Sequence, residues 1–219
     1  MPPRTAVAAP AAAQPPGFLY VPELITRAEE RALLDWFAAS ADWKLVTFRG
    51  QTARRRAMSF GARYLTQGRR LEPAPALPPE LAVYRDRMVE AACEGLGRTA
   101  ALAGRTIADF ALCTALHYPS GGAIGWHADN RAFGPTVLSL SLGTAARLQL
   151  QRAGDVDRDG ARVDRAGERG AGAIEQELAP RSLFVLAGEA RADWQHRVCP
   201  VREERYSLTV RSPADPERA

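Results

Sequence analysis

Lysine is almost missing from this chain. Of 29 basic residues only Lys44 is a lysine; the others are arginines, and 25 acidic residues leave a formal net charge of +4. That mild excess suits a polyanionic partner but requires none, and the joint abundance of Ala, Arg, Gly and Pro accounts for much of the arginine count. Cysteine is scarce too. Cys93, Cys113 and Cys199 are odd in number and widely spaced, which rules out a CxxC pair or a disulfide framework and points to a reducing compartment. No apolar run is long enough to cross a membrane, and the Ala- and Pro-rich first residues lack the leucine-rich run of a signal peptide. The expectation is a cytoplasmic protein with no membrane partner. Internal repeats, helix-turn-helix patterns and zinc-finger patterns are also missing.

What is present is enough apolar sequence, 46%, to bury a core in a chain of 219 residues. Residues 1–16 read as a tail. Phe18 to Val21 reads as an edge strand. Thr26-Arg27-Ala28-Glu29 is a capping box, and Leu33, Leu34 and Phe37 follow at helical spacing, which predicts a helix over 26–39. Residues 43–65 alternate apolar and basic positions and read as strands around Gly50. Residues 66–79, with Gly68 and four prolines, read as a loop. Glu80 to Leu96 reads as a second helix stopped by Gly97. From 106 onward the pattern changes to short strands: Val137 to Leu142, Leu148 to Gln151, Ile174 to Leu178, Leu183 to Leu186 and Tyr206 to Arg211. Helices first and strands later give an α+β, mainly β chain of the sandwich or jelly-roll kind. The charged, glycine-rich stretch 152–173 reads as a long hairpin tip. Asp155 to Gly160 within it mimics half of a calcium loop, but Ala166 stands where the closing glutamate belongs.

Two of the three histidines fall at telling places. Trp126-His127-Ala128-Asp129 contains an H-x-D, and residues i and i+2 of a strand share a face, so one imidazole and one carboxylate can meet one metal. His196 arrives from a later strand. Two histidines and a carboxylate form the facial triad of non-haem Fe(II) oxygenases, with positions left for a bidentate keto acid and for oxygen. H-x-D alone recurs by chance. Arg205 and Arg211 strengthen it: their spacing puts both on one strand face, opposite Tyr206, Leu208 and Val210, and a guanidinium fork pairs bidentately with a carboxylate.

With those residues in view, four stretches resemble the AlkB family of Fe(II)- and α-ketoglutarate-dependent dioxygenases. They are Tyr118 to Asp129, Val137 to Gly143, Gly188 to His196 and Arg205 to Arg211, in that order. Residues 17–96, including Gly17 to Tyr20 and Phe48 to Gly61, resemble the family's N-terminal part. The resemblance implies a single domain over 17–213. In it, 17–105 supplies N-terminal helices and a nucleotide-recognition lid, and 106–213 forms a double-stranded β-helix core. It implies Fe(II) held by His127, Asp129 and His196, and α-ketoglutarate held by Tyr118, Arg205, Ser207 and Arg211. It also implies O2 as oxidant and removal of N-linked alkyl groups from nucleic-acid bases, with aldehyde, succinate and CO2 released.

Three departures bear on that reading. Leu116 and Ser207 stand where many relatives carry asparagines that help hold the cosubstrate, and Arg131 stands where repair-type relatives often place an acidic residue near the target base. Single-stranded or damaged DNA or RNA is the expected partner, met by Arg49, Phe60, Tyr64 and Arg131, with other lid arginines neutralising phosphates. The alternatives are the same chemistry on a protein side chain or small molecule, or a non-catalytic nucleic-acid-binding member of the fold. The sequence does not reveal the oligomeric state.

Overall fold

A computed structural model describes residues 14–48, 51–65, 70–154 and 173–214. In chain order the strands and helices are β1 (Phe18–Val21), α1 (Arg27–Ala39), β2 (Lys44–Phe48), β3 (Gln51–Phe60), β4 (Ala62–Leu65), β5 (Arg70–Pro73), α2 (Pro79–Leu96) and α3 (Arg98–Leu102). There follow β6 (Leu112–Tyr118), β7 (Ile124–His127), β8 (Phe133–Gly143), β9 (Ala146–Arg152), β10 (Ile174–Leu178), β11 (Leu183–Leu186), α4 (Gly188–Ala192), β12 (Trp194–Val198) and β13 (Arg205–Pro213).

Helix α1 starts at the capping box. Glu29 N–H donates to the Thr26 hydroxyl at 3.2 Å, and Thr26 N–H donates to the Glu29 carboxylate at 2.7 Å. Helix α2 stops at Gly97, whose φ of 81° is open to glycine and strained for other residues.

The strands form a seven-stranded sheet in the order β1-β11-β8-β13-β6-β3-β2, a four-stranded sheet in the order β10-β9-β12-β7, and the two-stranded hairpin β4-β5. The two larger sheets face each other. Tyr118, Val137, Phe184 and Leu186 from one share a core with Leu148, Leu150, Leu178 and Val198 from the other. The opposite face of the large sheet carries the helices, with Leu33, Phe37, Leu81 and Met88 packed on Leu138, Leu140, Leu208 and Val210. The fold is therefore mainly β, a jelly-roll sandwich with helices on one side. Each leucine buried this way contributes about 1.5–3 kcal/mol relative to exposure.

The alternation of β8 has a specific meaning. Leu138, Leu140 and Leu142 are buried against the helices, while Ser139 and Ser141 are equally buried on the inner face. Along β13 the inner face carries Arg205, Ser207, Thr209 and Arg211, in register with Gly143, Ser141, Ser139 and Val137. A band of hydroxyls and guanidiniums thus lines the inside of the sandwich.

Several expectations need correction. The region 66–79 is not all loop: β5 pairs with β4, and Glu72 pairs with Arg63 and Arg70. Pro73 closes that strand at its end, where a missing N–H costs little. Residues 14–16 of the expected tail are tied to the body, because the Pro16 carbonyl accepts from Ala190 N–H at 2.9 Å. The remaining tail residues, Arg49, Gly50 and most of the 152–173 hairpin tip with its calcium-like segment lie outside the described residues. No described helix is long and apolar enough to cross a membrane.

Candidate functional site

Three ligand-type side chains converge between the sheets. Strands β7 and β12 pair so that His127 stands directly opposite His196, which brings the two imidazole centroids to 4.2 Å. Asp129 joins them from the loop after β7. One ligand atom from each of the three lies within 4.8 Å of the others. The expectation that H-x-D shares one strand face needs amending: β7 ends at His127, so Asp129 is brought in by a loop and not by strand alternation.

Each donor is prepared differently. His127 Nδ1 bonds the Gly125 carbonyl at 2.9 Å; a carbonyl can only accept, so Nδ1 is the donor and Nε2 is the nitrogen left to meet a metal. Burial pushes the His196 imidazole down to about 4, against the pull of Asp129, so it is neutral at neutral pH. Burial alone would raise the Asp129 carboxyl. Arg211, His196, His127 and Arg191 outweigh it and hold the group well below the usual carboxylate range. One oxygen, Oδ1, accepts from Arg211 Nε at 3.1 Å and Nη2 at 2.9 Å. The other, Oδ2, is buried without a hydrogen-bond partner and lies 3.7 Å from His196 Nε2.

Deeper between the sheets, Arg205 is 1% exposed. Its Nη2 donates to Ser141 Oγ at 2.9 Å, and its guanidinium lies 4.8 Å from the centre of the Tyr118 ring. Nε and Nη1 are buried without partners. Burial of the cation lowers the Arg205 pKa, and no carboxylate nearby compensates it. Ser207 lies on the same face, and its partner across the β6–β13 ladder is Leu116. The two positions singled out in the sequence as departures from the family are thus neighbours.

A model of the 2OG-Fe(II) oxygenase superfamily matches residues 17–213. The chain belongs to that superfamily. Mouse tRNA (carboxymethyluridine(34)-5-O)-methyltransferase ALKBH8 is 26% identical over 189 residues, 86% of this chain but 25% of that protein. The chain therefore spans about a quarter of that relative's length. The solved structure titled OsALKBH1 matches with a TM-score of 0.65 at 17% identity, over 93% of this chain and 100% of the other. A Pseudomonas putida prolyl-4-hydroxylase matches at 0.55 and 16% identity, over 90% and 92%. The chain is thus a 2OG-Fe(II) oxygenase, a class that uses Fe(II), 2-oxoglutarate and O2, with a fold similar to that of OsALKBH1.

The residues fit those groups. Two imidazoles and a carboxylate oxygen with no hydrogen-bond partner are a donor set for Fe(II). A buried guanidinium with two unused donors is complementary to a carboxylate of a keto diacid.

The lid positions divide. Tyr64 on β4 is half-buried, with its ring 6.0 Å from Phe133; Phe133 in turn lies 4.8 Å beneath the Arg211 guanidinium. Phe60 does not reach a binding surface. It is 8% exposed and packs beside Trp36 in the helix-side core, so no ring face is left for a base. Arg131 is exposed on the loop after Asp129. Sequence reasoning gave no role to Ser141 or to Arg191. Both stand inside stretches that carried the resemblance, but their partners come from distant segments.

Proposed function

We propose that this chain oxidatively removes N-linked alkyl groups from nucleic-acid bases, with His127, Asp129 and His196 as the ligands of Fe(II). The observation that carries the iron assignment is the bare, buried Oδ2 of Asp129 beside two imidazoles. When bound, Fe(II) with 2-oxoglutarate and O2 supplies the oxidation: one oxygen atom enters an alkyl C–H bond, and the other ends in succinate as CO2 leaves. The hydroxylated alkyl group then departs from nitrogen as an aldehyde.

The chain's own residues orient and shield. Arg205 would take one end of the keto diacid through Nε and Nη1, with Ser141, Ser207 and Tyr118 around it. Arg211 spends Nε and Nη2 on Asp129, which leaves Nη1 for the other end. Arg205 is shut away from water and Arg211 largely so, and a charge-assisted bond gains strength out of water.

The nucleic-acid assignment rests on two supports. The relative's printed name places it on a tRNA uridine. On this chain, exposed Arg54 and Arg56 stud β3 before the core and can neutralise phosphates. The test is mass spectrometry of single-stranded DNA and RNA oligonucleotides carrying 1-methyladenine or 3-methylcytosine, incubated with iron-loaded protein, 2-oxoglutarate and O2. Loss of methyl with wild type and not with His127→Ala supports the proposal. Succinate formation without methyl loss from any oligonucleotide overturns the substrate and directs the search to protein side chains or small molecules.

A further inference from the structure

The paired strands account for only part of the triad. The β7–β12 ladder sets His127 against His196, but Asp129 lies beyond the end of β7, where no ladder bond fixes it. Something else must hold that carboxylate within reach of both imidazoles.

We infer that Arg191 is the positioning residue for Asp129, tying the carboxylate's loop to the segment that carries His196. Its Nη1 donates to the Asp129 carbonyl at 3.2 Å, and its Nη2 donates to the Asn130 carbonyl at 2.9 Å and, more weakly, to the Phe133 carbonyl at 3.5 Å. Three backbone carbonyls, two from the loop after β7 and one from the first residue of β8, therefore converge on one planar fork. The Asn130 side chain tightens the same turn by accepting from Ala132 N–H at 2.8 Å.

The other end of the tether is equally fixed. Arg191 sits on α4, and α4 leads directly into β12 and His196. The Ala187 N–H donates to Gly17 at 3.0 Å and the Ala190 N–H to Pro16 at 2.9 Å. Gly17 permits that approach: a Cβ there would stand 2.1 Å from the Ala187 oxygen. The base of Arg191 is thus anchored to the body. Arg211 grips the Asp129 carboxylate while Arg191 grips its backbone, so the carboxylate cannot swing without breaking bonds from two elements. A lysine could not replace the fork, because a single ammonium cannot span carbonyls at three separate residues with the same planar geometry.

This inference rests on the triad being the metal site, and the experiment separates the two. Co(II) is titrated anaerobically into wild type, Arg191→Met, Arg191→Lys, Phe60→Leu and His127→Ala, followed by its visible absorption. Urea unfolding of the metal-free proteins runs in parallel. The expected result is about 10–100-fold weaker Co(II) binding with an altered band shape in Arg191→Met, the usual scale for loss of a group that orients a ligand. Arg191→Lys should recover part of the affinity. Phe60→Leu, destabilised in the core away from the triad, should bind as wild type does. Wild-type affinity and band shape in both Arg191 variants would overturn the inference. If Arg191→Met does not fold, Arg191→Lys carries the same comparison. Unchanged binding by His127→Ala would instead overturn the metal site itself.

Discussion

Arg211 places two guanidinium nitrogens on a single oxygen of Asp129, at 3.1 and 2.9 Å, and leaves the second oxygen bare. The side chains are 15% and 5% exposed, so the pair is largely out of water. Arg211→Met would leave a buried carboxylate charge without its main partner. The expected loss is about 3–5 kcal/mol of metal-free stability, the scale for breaking a buried pair from one side. Urea denaturation of wild type, Arg211→Met and the double variant with Asp129→Asn checks it. The double variant should recover much of the loss, because no charge then remains uncompensated.

Arg205 should behave in the opposite sense. It is buried with no acidic partner, and Tyr118 and the Ser141 hydroxyl offset its desolvation only in part, so Arg205→Met removes a charge that is costly to bury. Metal-free melting should stay unchanged or rise. The stabilisation that 2-oxoglutarate gives the iron-loaded wild type should vanish in the variant. A variant that melts lower and still responds to the keto acid would show the guanidinium to be structural.

The metal-free protein should lose stability as pH falls from about 6.5 to about 4. The folded His196 resists protonation down to about 4, whereas the ordinary value is 6.5. Within that interval the unfolded chain takes up a proton that the folded chain refuses, so the folded state loses ground. Asp129, whose pKa is depressed, adds its own loss only below the ordinary carboxylate range. Urea midpoints at pH 7 and pH 5 should separate more for wild type than for His196→Gln. Equal separations would refute the shift.

Phe60 and Tyr64 were expected to serve one purpose and are separated by the fold. Phe60→Ala should cost about 3–5 kcal/mol, the range for a buried aromatic. Tyr64→Ala, at a half-buried ring above Phe133, should cost far less and act on turnover or substrate affinity. Thermal melting and steady-state kinetics of the two variants make the comparison.

Much of this was legible in the residues. The Thr26–Glu29 capping box, the Gly97 stop and the alternation of β8 and β13 each act through neighbours in sequence, and each appears where the pattern put it. The three metal-type residues also came together. What the pattern could not show depends on long-range partners. Nothing local says that β7 ends at His127, that Arg191 reaches back to the Asp129 loop, or that Leu116 faces Ser207 across a ladder. Phe60 misled because strand alternation gives two faces and does not say which of them packs against helices.

Strand β13 occupies the middle of the large sheet, between β8 and β6, yet all the other strands precede it in the chain. During synthesis the residues of β1, β11 and β8 and of β6, β3 and β2 therefore all leave the ribosome before the strand that joins them. Without β13, the β8 and β6 sides that it joins would be unpaired edges, each a template for pairing with another chain. Arg211, which grips the Asp129 carboxylate, and the buried Arg205 both lie on that same late strand. His127, Asp129 and His196 all precede that strand in the chain, so the three candidate metal ligands are made before the arginine that braces one of them.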